Sequence, residues 1–95
     1  MAIPVGYEGQ VRSRSGMARN LGLIVLNSPG TIDWDYRGEI QVLLWNTSEE
    51  NVAIEPLDRI AQLVIAPVVR PRITLVETLD PTERGAGGFG STGTT

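Results

Sequence analysis

The sequence predicts an all-β, jelly-roll-like domain of antiparallel strands with one short helix. One observation limits the size of the domain, and two others predict its β character. The 95 residues are enough for one small domain. Hydrophobic residues make up 41% of the chain and are dominated by Val, Ile and Leu, which favour strands. They occur in short runs separated by Gly, Pro, Asn and Asp, the residues that form turns.

Six segments have the composition of strands: residues 7–12, 23–26, 39–46, 51–55, 59–67 and 73–78. Turn residues separate them at Asn27-Ser28-Pro29-Gly30, at 46–50 and at Arg70-Pro71. Such short connections are typical of antiparallel pairing.

One helical turn is predicted over residues 16–21, where Ser15 is placed to cap its start. Gly22 is placed to end it in the left-handed conformation. The stretch 54–64 also fits a helical stripe, but Pro56 and the β-branched residues after it favour a strand.

The composition changes at Thr82. Residues 84–93 hold five of the eleven glycines and the only phenylalanine, and such a segment cannot bury enough apolar surface to fold alone. The sequence therefore predicts a β domain over residues 1–81 and a flexible arm over residues 82–95.

The composition also limits the function. Cysteine and histidine are absent, which excludes disulfides, thiolate nucleophiles, Ser-His-Asp triads and nearly every zinc or copper site. The net charge of −3 argues against a nucleic-acid polymer as partner. All eight basic residues are arginine, whose planar fork binds phosphate or carboxylate, although codon bias would also explain the choice. The lack of a long apolar run or a signal peptide predicts a cytoplasmic protein with no membrane contact.

Two stretches in the first half of the chain carry polar residues in patterns typical of a site. Arg14-Ser15-Gly16 follows a strand and opens the helix, so an arginine, a hydroxyl and backbone N–H groups could meet an anion. The alternative is a solvated strand with an ordinary helix cap. Asp33 and Asp35 share one face of an extended segment and could bind a metal or supply a general base. The alternative is a turn in which they pair with Arg37.

Two further stretches lie in the second half of the chain. Gln62 interrupts an apolar run, so its amide either satisfies neighbouring backbone or points into a site. The arm carries Arg84 and Phe89, residue types that bind phosphate and stack on a base, although a disordered linker would look the same.

In order and spacing, these four stretches resemble the second to fifth motifs of one family, the trimeric dUTPases, which hydrolyse dUTP to dUMP and pyrophosphate. The motifs correspond to residues 14–16, 30–38, 58–63 and 84–93. The similarity runs over residues 2–93, and its third and fifth motifs are the most specific.

The resemblance implies roles at the nucleoside end of dUTP. Asp33 would activate the water that attacks the α-phosphorus. Tyr36 would pack against the deoxyribose, where a ribose 2′-hydroxyl would collide. Asn27, Gly30 and Ile32 would read uracil and leave no room for the methyl group of thymine.

The resemblance also implies roles at the phosphate end. Arg14, Ser15 and Gly16 would bind the phosphates, and Gln62 would share the catalytic work with Asp33 by holding the attacking water. In the arm, Arg84 would bind phosphate and Phe89 would stack on uracil. Gly90, Ser91 and Thr92 would close over the γ-phosphate.

The fold implied is a β jelly roll assembled as a homotrimer with shared active sites, in which the arm reaches a neighbouring subunit. Two departures from the family pattern are Ser13, where a proline is usual, and Leu57, where a glycine is usual. A leucine at a turn that needs positive φ would be strained.

The family's first motif, an Ala-x-Asp-Leu segment whose aspartate orders a magnesium-bound water, is absent from the chain. The sequence therefore predicts an N-terminally truncated domain: a fragment, a naturally shortened variant, or a chain completed by another polypeptide. It offers no metal ligand of its own, and Mg²⁺ would be held mainly by the triphosphate.

Two other functions remain open. A dCTP deaminase would share the fold, but it would need a catalytic glutamate where this chain has Gly30-Thr31-Ile32-Asp33. A truncated dUTPase-like module would bind nucleotide or a protein partner without turnover, which the missing first motif favours.

Overall fold

The computed structural model describes residues 1–90 and is mostly β, with antiparallel pairing throughout. The elements are β1 (Tyr7–Arg12), α1 (Ser15–Leu21), β2 (Leu23–Val25), β3 (Gly30–Ile32), β4 (Leu44–Asn46) and β5 (Gln62–Pro67). One sheet has the order β3-β1-β5, and the other pairs β2 with β4. Fold class, helix and antiparallel connections are thus as the sequence predicts.

A small apolar core joins the two sheets. Val11 and Ile32 come from one sheet and Val25 from the other, and Ile3 packs with them. Ile40, Val42, Leu44 and Ala61 pack against this cluster while remaining partly exposed. Ile32 and Ala61, which directly precede Asp33 and Gln62, are therefore held by core packing.

The helix differs from its prediction at the start and agrees with it at the end. Arg14, not Ser15, is the cap residue: its extended backbone (φ −91°, ψ 126°) precedes the helix, and its carbonyl accepts the N–H of Ala18 at 3.0 Å. Ser15 is the first helical residue, and no side chain caps the helix. Gly22 ends it with φ 67°, as predicted.

Several predicted strands are shorter or missing in the described residues. The segment 39–43 alternates between exposed and partly buried side chains as a strand does, but only Leu44–Asn46 finds a ladder partner, on β2. The fifth prediction, residues 59–67, begins instead at Gln62. Residues 51–55 and 73–78 form no strand, because the described chain places no neighbouring strand beside them. Gly30–Ile32, expected to be part of a turn, pairs with β1.

Ser13, one of the two departures from the family pattern, has a structural role. Its Oγ accepts the backbone N–H of Val25 at 2.9 Å. This bond ties the entrance of α1 to the buried end of β2, so the serine compensates locally for the rigidity that a proline would supply.

Leu57, the other departure, has the strained conformation expected of it. Its φ is 73°, the only positive φ at a non-glycine residue in the described chain, and its side chain is fully exposed. We expect Leu57→Gly to raise the free energy of unfolding by about 1 kcal/mol, since the steric cost of the Cβ disappears and no packing is lost. Thermal denaturation should show a melting temperature higher by about 4–8 °C.

Leu57→Ala is the matched control, because it removes the exposed apolar side chain but keeps the Cβ. Its melting temperature should stay near that of the wild type. Equal gains in both variants would show that side-chain exposure, not backbone strain, limits stability at this turn.

Candidate active site

The start of α1 and the start of β5 form one polar cleft of about 490 Å³. Its lining includes Arg14, Ser15, Gly16, Arg59 and Gln62. The sheet register brings them together, because Gln62 lies opposite Arg12 in the β1–β5 ladder, two residues before Arg14. Two guanidinium groups, a hydroxyl and an amide around one cavity are a donor set suited to an anion.

A second cleft, of about 290 Å³, lies at the end of β3. It is lined by Ile32, Asp33 and Tyr36 together with residues 39–41 and Thr31. Ile32 is buried in the core, so the next residue along the strand, Asp33, is carried to the surface at a fixed place. The Asp33 carboxylate therefore borders a cavity whose lining is mixed, with Ile32, Ile40 and Tyr36 beside polar residues.

Asp33 also borders a third cleft, of about 410 Å³, on its other side. Tyr7, Trp34 and Arg70 are among the residues that line it. Asp33 thus lines two clefts and is exposed to solvent.

The turn between β2 and β3 brings Asn27 and Gly30 together. A Cβ at Gly30 would lie 3.3 Å from the Asn27 amide nitrogen and 3.5 Å from the Cβ of Val11. The peptide Ser28–Pro29 between them is cis. Asn27 and Gly30 therefore sit at the start of the strand that ends in Ile32.

The polar cleft and the Asp33 cleft have no lining residue in common among the described residues. The sequence-predicted residues thus fall into two groups on one chain: Arg14, Ser15, Gly16 and Gln62 in one cleft, and Ile32, Asp33 and Tyr36 in the other. One copy of the chain does not place them around a single cavity.

Among the described residues of the predicted arm, Arg84, Phe89 and Gly90 line none of the three clefts. Arg84 donates from its Nε to the carbonyl of Gly87 at 2.6 Å, within the arm itself. Phe89 is fully exposed, and Gly90 has φ 74°. Ser91 and Thr92 lie outside the described residues.

Within residues 1–90, no group of three or more carboxylate, histidine or cysteine side chains is arranged to hold a metal ion. Asp33 and Asp35 thus do not belong to a protein-built metal cage. No helix in the same residues is long and apolar enough to span a membrane.

Sequence reasoning missed two arginines of the site region. Arg59 lines the polar cleft and also an adjacent apolar groove of about 270 Å³. Its spacing of three residues from Gln62 could have indicated it. Arg37 entered the sequence analysis only in the alternative interpretation, as a partner of Asp33 and Asp35; its Nη1 donates instead to the carbonyls of Trp34 at 2.8 Å and Tyr36 at 3.1 Å.

The fold and clefts define a small antiparallel β protein with an arginine-bearing anion cleft and a separate carboxylate-bearing cleft. Comparison with known proteins identifies the class further: the dUTPase family model matches residues 1–93. The chain belongs to the dUTPase family, and its fold is the jelly-roll-like dUTPase fold.

Two relatives are deoxyuridine 5′-triphosphate nucleotidohydrolases. The protein of Syntrophotalea carbinolica is 58% identical over 93 residues, which is 98% of this chain and 63% of the relative. That of Nautilia profundicola is 64% identical over 91 residues, 96% of this chain and 64% of the relative. The chain therefore spans less than two thirds of the length of these curated relatives.

Solved structures give the same family. A mutant of the Staphylococcus bacteriophage 80alpha dUTPase with dUpNHpp superposes with a TM-score of 0.84 at 31% identity, covering 98% of this chain and 70% of that one. Another 80alpha dUTPase structure with dUpNHpp gives 0.80 at 30% identity, with the same coverage.

Proposed function

We propose that this chain, as part of an assembly, hydrolyses dUTP to dUMP and pyrophosphate. The main observation behind this proposal is the distribution of the predicted site residues between two clefts. Arg14, Ser15, Gly16 and Gln62, assigned to the phosphates and the attacking water, line one cleft. Ile32, Asp33 and Tyr36, assigned to the nucleoside and to general-base catalysis, line the other. Relatives at 58% and 64% identity are named for this hydrolysis, and a related phage enzyme is solved with dUpNHpp.

At the nucleoside end, Asp33 acts as general base. It takes a proton from the water that attacks the α-phosphorus, and pyrophosphate leaves. Tyr36, on the same cleft, packs against the deoxyribose. Asn27, Gly30 and Ile32, along the preceding turn and strand, read the uracil edge. Solved 80alpha dUTPases include variants of an aspartate and of a tyrosine three positions later, which is the spacing of Asp33 and Tyr36.

At the phosphate end, Arg14 binds phosphate oxygens through its guanidinium, and Ser15 and Gly16 add donors beside it. Gln62, on the same cleft wall, holds the attacking water together with Asp33. Charge-assisted bonds of this kind stabilise the charge that develops on the leaving pyrophosphate.

The assembly is a homotrimer in which one subunit's polar cleft faces another's Asp33 cleft. Two properties of the isolated chain support its association with other copies. Its accessible surface is 8374 Å², whereas a compact monomer of 10.3 kDa exposes about 5,400 Å². Its radius of gyration is 19.2 Å, whereas about 12 Å is usual for a compact domain of this length.

The arm, residues 82–95, closes the site from a neighbouring subunit. In the described part of the arm, Phe89 and Arg84 are exposed, and Arg84 donates to the arm's own Gly87 carbonyl, so a ligand can reach both side chains. Arg84 binds phosphate, Phe89 stacks on uracil, and Gly90, Ser91 and Thr92 cover the γ-phosphate when the site closes.

Magnesium enters with the triphosphate. Mg²⁺ would be held mainly by the phosphate oxygens of dUTP, whose negative charge it would neutralise. We place the reaction in the cytoplasm.

A second candidate function is a dUTPase-like module that binds nucleotide or a protein partner without turnover. The observation that favours it is that Asp33 and Arg14 line separate clefts in one copy of the chain. Such a module would bind dUTP but release no pyrophosphate.

The deciding experiment incubates the protein with dUTP and Mg²⁺ and follows pyrophosphate release, with UTP, dTTP and dCTP as comparison substrates. We expect release from dUTP far above that from the other three. Binding of dUTP with no release would support the binding module. Ammonia release from dCTP would support a deaminase.

Sedimentation equilibrium tests the assembly. We expect a mass three times that of one chain, because the separate clefts need a neighbour to complete one site. A monomer that hydrolyses dUTP would contradict the shared-site arrangement, since a single copy would then suffice.

A further inference from the structure

The loop from Asp33 to Glu39 is held by its own hydrogen bonds. The Tyr36 N–H donates to the Asp33 carbonyl at 3.1 Å and closes a turn. The Tyr36 hydroxyl donates to the carbonyl of Glu39 at 2.7 Å. No residue from 33 to 39 takes part in a sheet ladder, so these local contacts decide the loop's conformation.

Gly38 lies directly against the Tyr36 ring. A Cβ at Gly38 would lie 2.6 Å from Cζ and 2.8 Å from Cε1 of the ring, closer than real Cβ contacts allow. The ring therefore lies over the backbone of Gly38, with its hydroxyl tied to the next residue. Its place is set by the course of the loop backbone.

Arg37 is the side chain that fixes this backbone. Its Nη1 atom bridges two carbonyl oxygens, those of Trp34 and Tyr36, at 2.8 and 3.1 Å. These carbonyls lie on either side of Asp35, so the bridge draws together the two ends of the turn between Asp33 and Tyr36. Arg37 itself is exposed and does not line the Asp33 cleft.

We infer that Arg37 is a positioning residue for sugar selectivity: by bridging the Trp34 and Tyr36 carbonyls it holds the Tyr36 ring at the distance from Asp33 that admits deoxyribose and excludes ribose. This inference rests on the proposed function. Without the bridge the turn can widen and the Tyr36 ring can move. The hydrogen bond from the Tyr36 hydroxyl to the Glu39 carbonyl fixes only one end of the ring.

Loss of the bridge should change the ratio of kcat/KM for dUTP to kcat/KM for UTP, and not only the rate of dUTP hydrolysis. Arg37→Ala should lower kcat/KM for dUTP about tenfold or more, because a displaced ring misaligns the substrate. It should lower kcat/KM for UTP much less, so that the preference for dUTP over UTP falls about tenfold. A variant that only folds less well loses activity towards both substrates equally, and its ratio does not move.

The experiment measures kcat/KM for dUTP and UTP with the full chain in its assembled state. Arg37→Lys keeps a donor on a long side chain and should recover part of the preference. Arg72→Ala removes the same charge from an exposed residue outside the candidate site and should leave the ratio unchanged. An Arg37→Ala protein with the wild-type ratio would overturn the inference.

A spectroscopic readout separates this inference from the proposed function. In a Trp45→Phe background, Trp34 is the only tryptophan and lies within the loop that Arg37 bridges. If the wild type does not hydrolyse dUTP, the proposed function fails, and the Trp34 emission then decides the inference. A shifted emission in Arg37→Ala, with unchanged far-UV circular dichroism, supports the bridge; an unshifted emission refutes it.

Discussion

Replacing Asp33 with asparagine should lower kcat for dUTP about a hundred- to ten-thousandfold, the contribution usual for a general base. The amide has nearly the shape of the carboxylate but cannot take the proton of the attacking water. Asp33 follows the core residue Ile32 and is exposed, so the substitution should not disturb packing. KM should change less than threefold, since the phosphates are bound in the other cleft. Pyrophosphate release under saturating dUTP measures the effect.

Asp35→Asn is the matched control. It makes the same chemical change two residues away, in the same loop, at an exposed residue that lines none of the three clefts around Asp33 and Arg14. Its kcat should stay within about twofold of the wild type. Equal losses in both variants would mean that loop charge matters, not a proton acceptor at Asp33.

Local chemistry explains which elements the sequence predicts well. β1 has the predicted bounds because its turn and helix neighbours limit it on both sides, and Gly22 ends α1 because left-handed backbone suits a residue without a Cβ. Leu57 illustrates the same rule as an exception, because it has a positive φ although it carries a Cβ. In each case a few adjacent residues contain all the information that the prediction uses.

Strands that need a distant partner were not predictable in this way. Residues 39–43 alternate as a strand does, yet they join no ladder in the described chain, while Gly30–Ile32, which none of the predicted strands includes, pairs with β1. Strand formation depends on what lies alongside, which periodicity does not report. Residues 73–78 show the extreme, since Ile73 is 93% and Leu75 98% exposed. Apolar composition alone does not show whether such a segment lies beside another strand.

The candidate site likewise has features that the local sequence predicts and features that depend on distant contacts. Arg14 and Gln62 are far apart in sequence, and the register of β1 with β5 brings them to one cleft. Their roles came from the resemblance, and the composition alone left both with ordinary structural alternatives. The contacts of Arg37 could not be predicted, because a sequence shows charges but not the directions of backbone carbonyls; the alternative interpretation paired it with aspartates, and two backbone oxygens are its partners.

Arg14→Ala should raise KM for dUTP about 10- to 100-fold, as expected when a charge-assisted phosphate contact of about 1.5–3 kcal/mol is lost. The fold should tolerate the change. Arg14 caps α1 through its backbone, its side chain makes no capping bond, and its carbonyl still accepts the N–H of Ala18. Steady-state kinetics at fixed ionic strength should therefore show a raised KM with an unchanged melting temperature.

Arg19→Ala controls for charge, because Arg19 lies at the other end of the same helix and borders a different cleft. If net charge alone steered the anionic substrate, both variants would raise KM alike and the difference would vanish at high salt. If Arg14 contacts phosphate directly, its effect should exceed that of Arg19→Ala at every salt concentration. Arg14→Lys should fall between, since an ammonium keeps the charge and loses the planar fork.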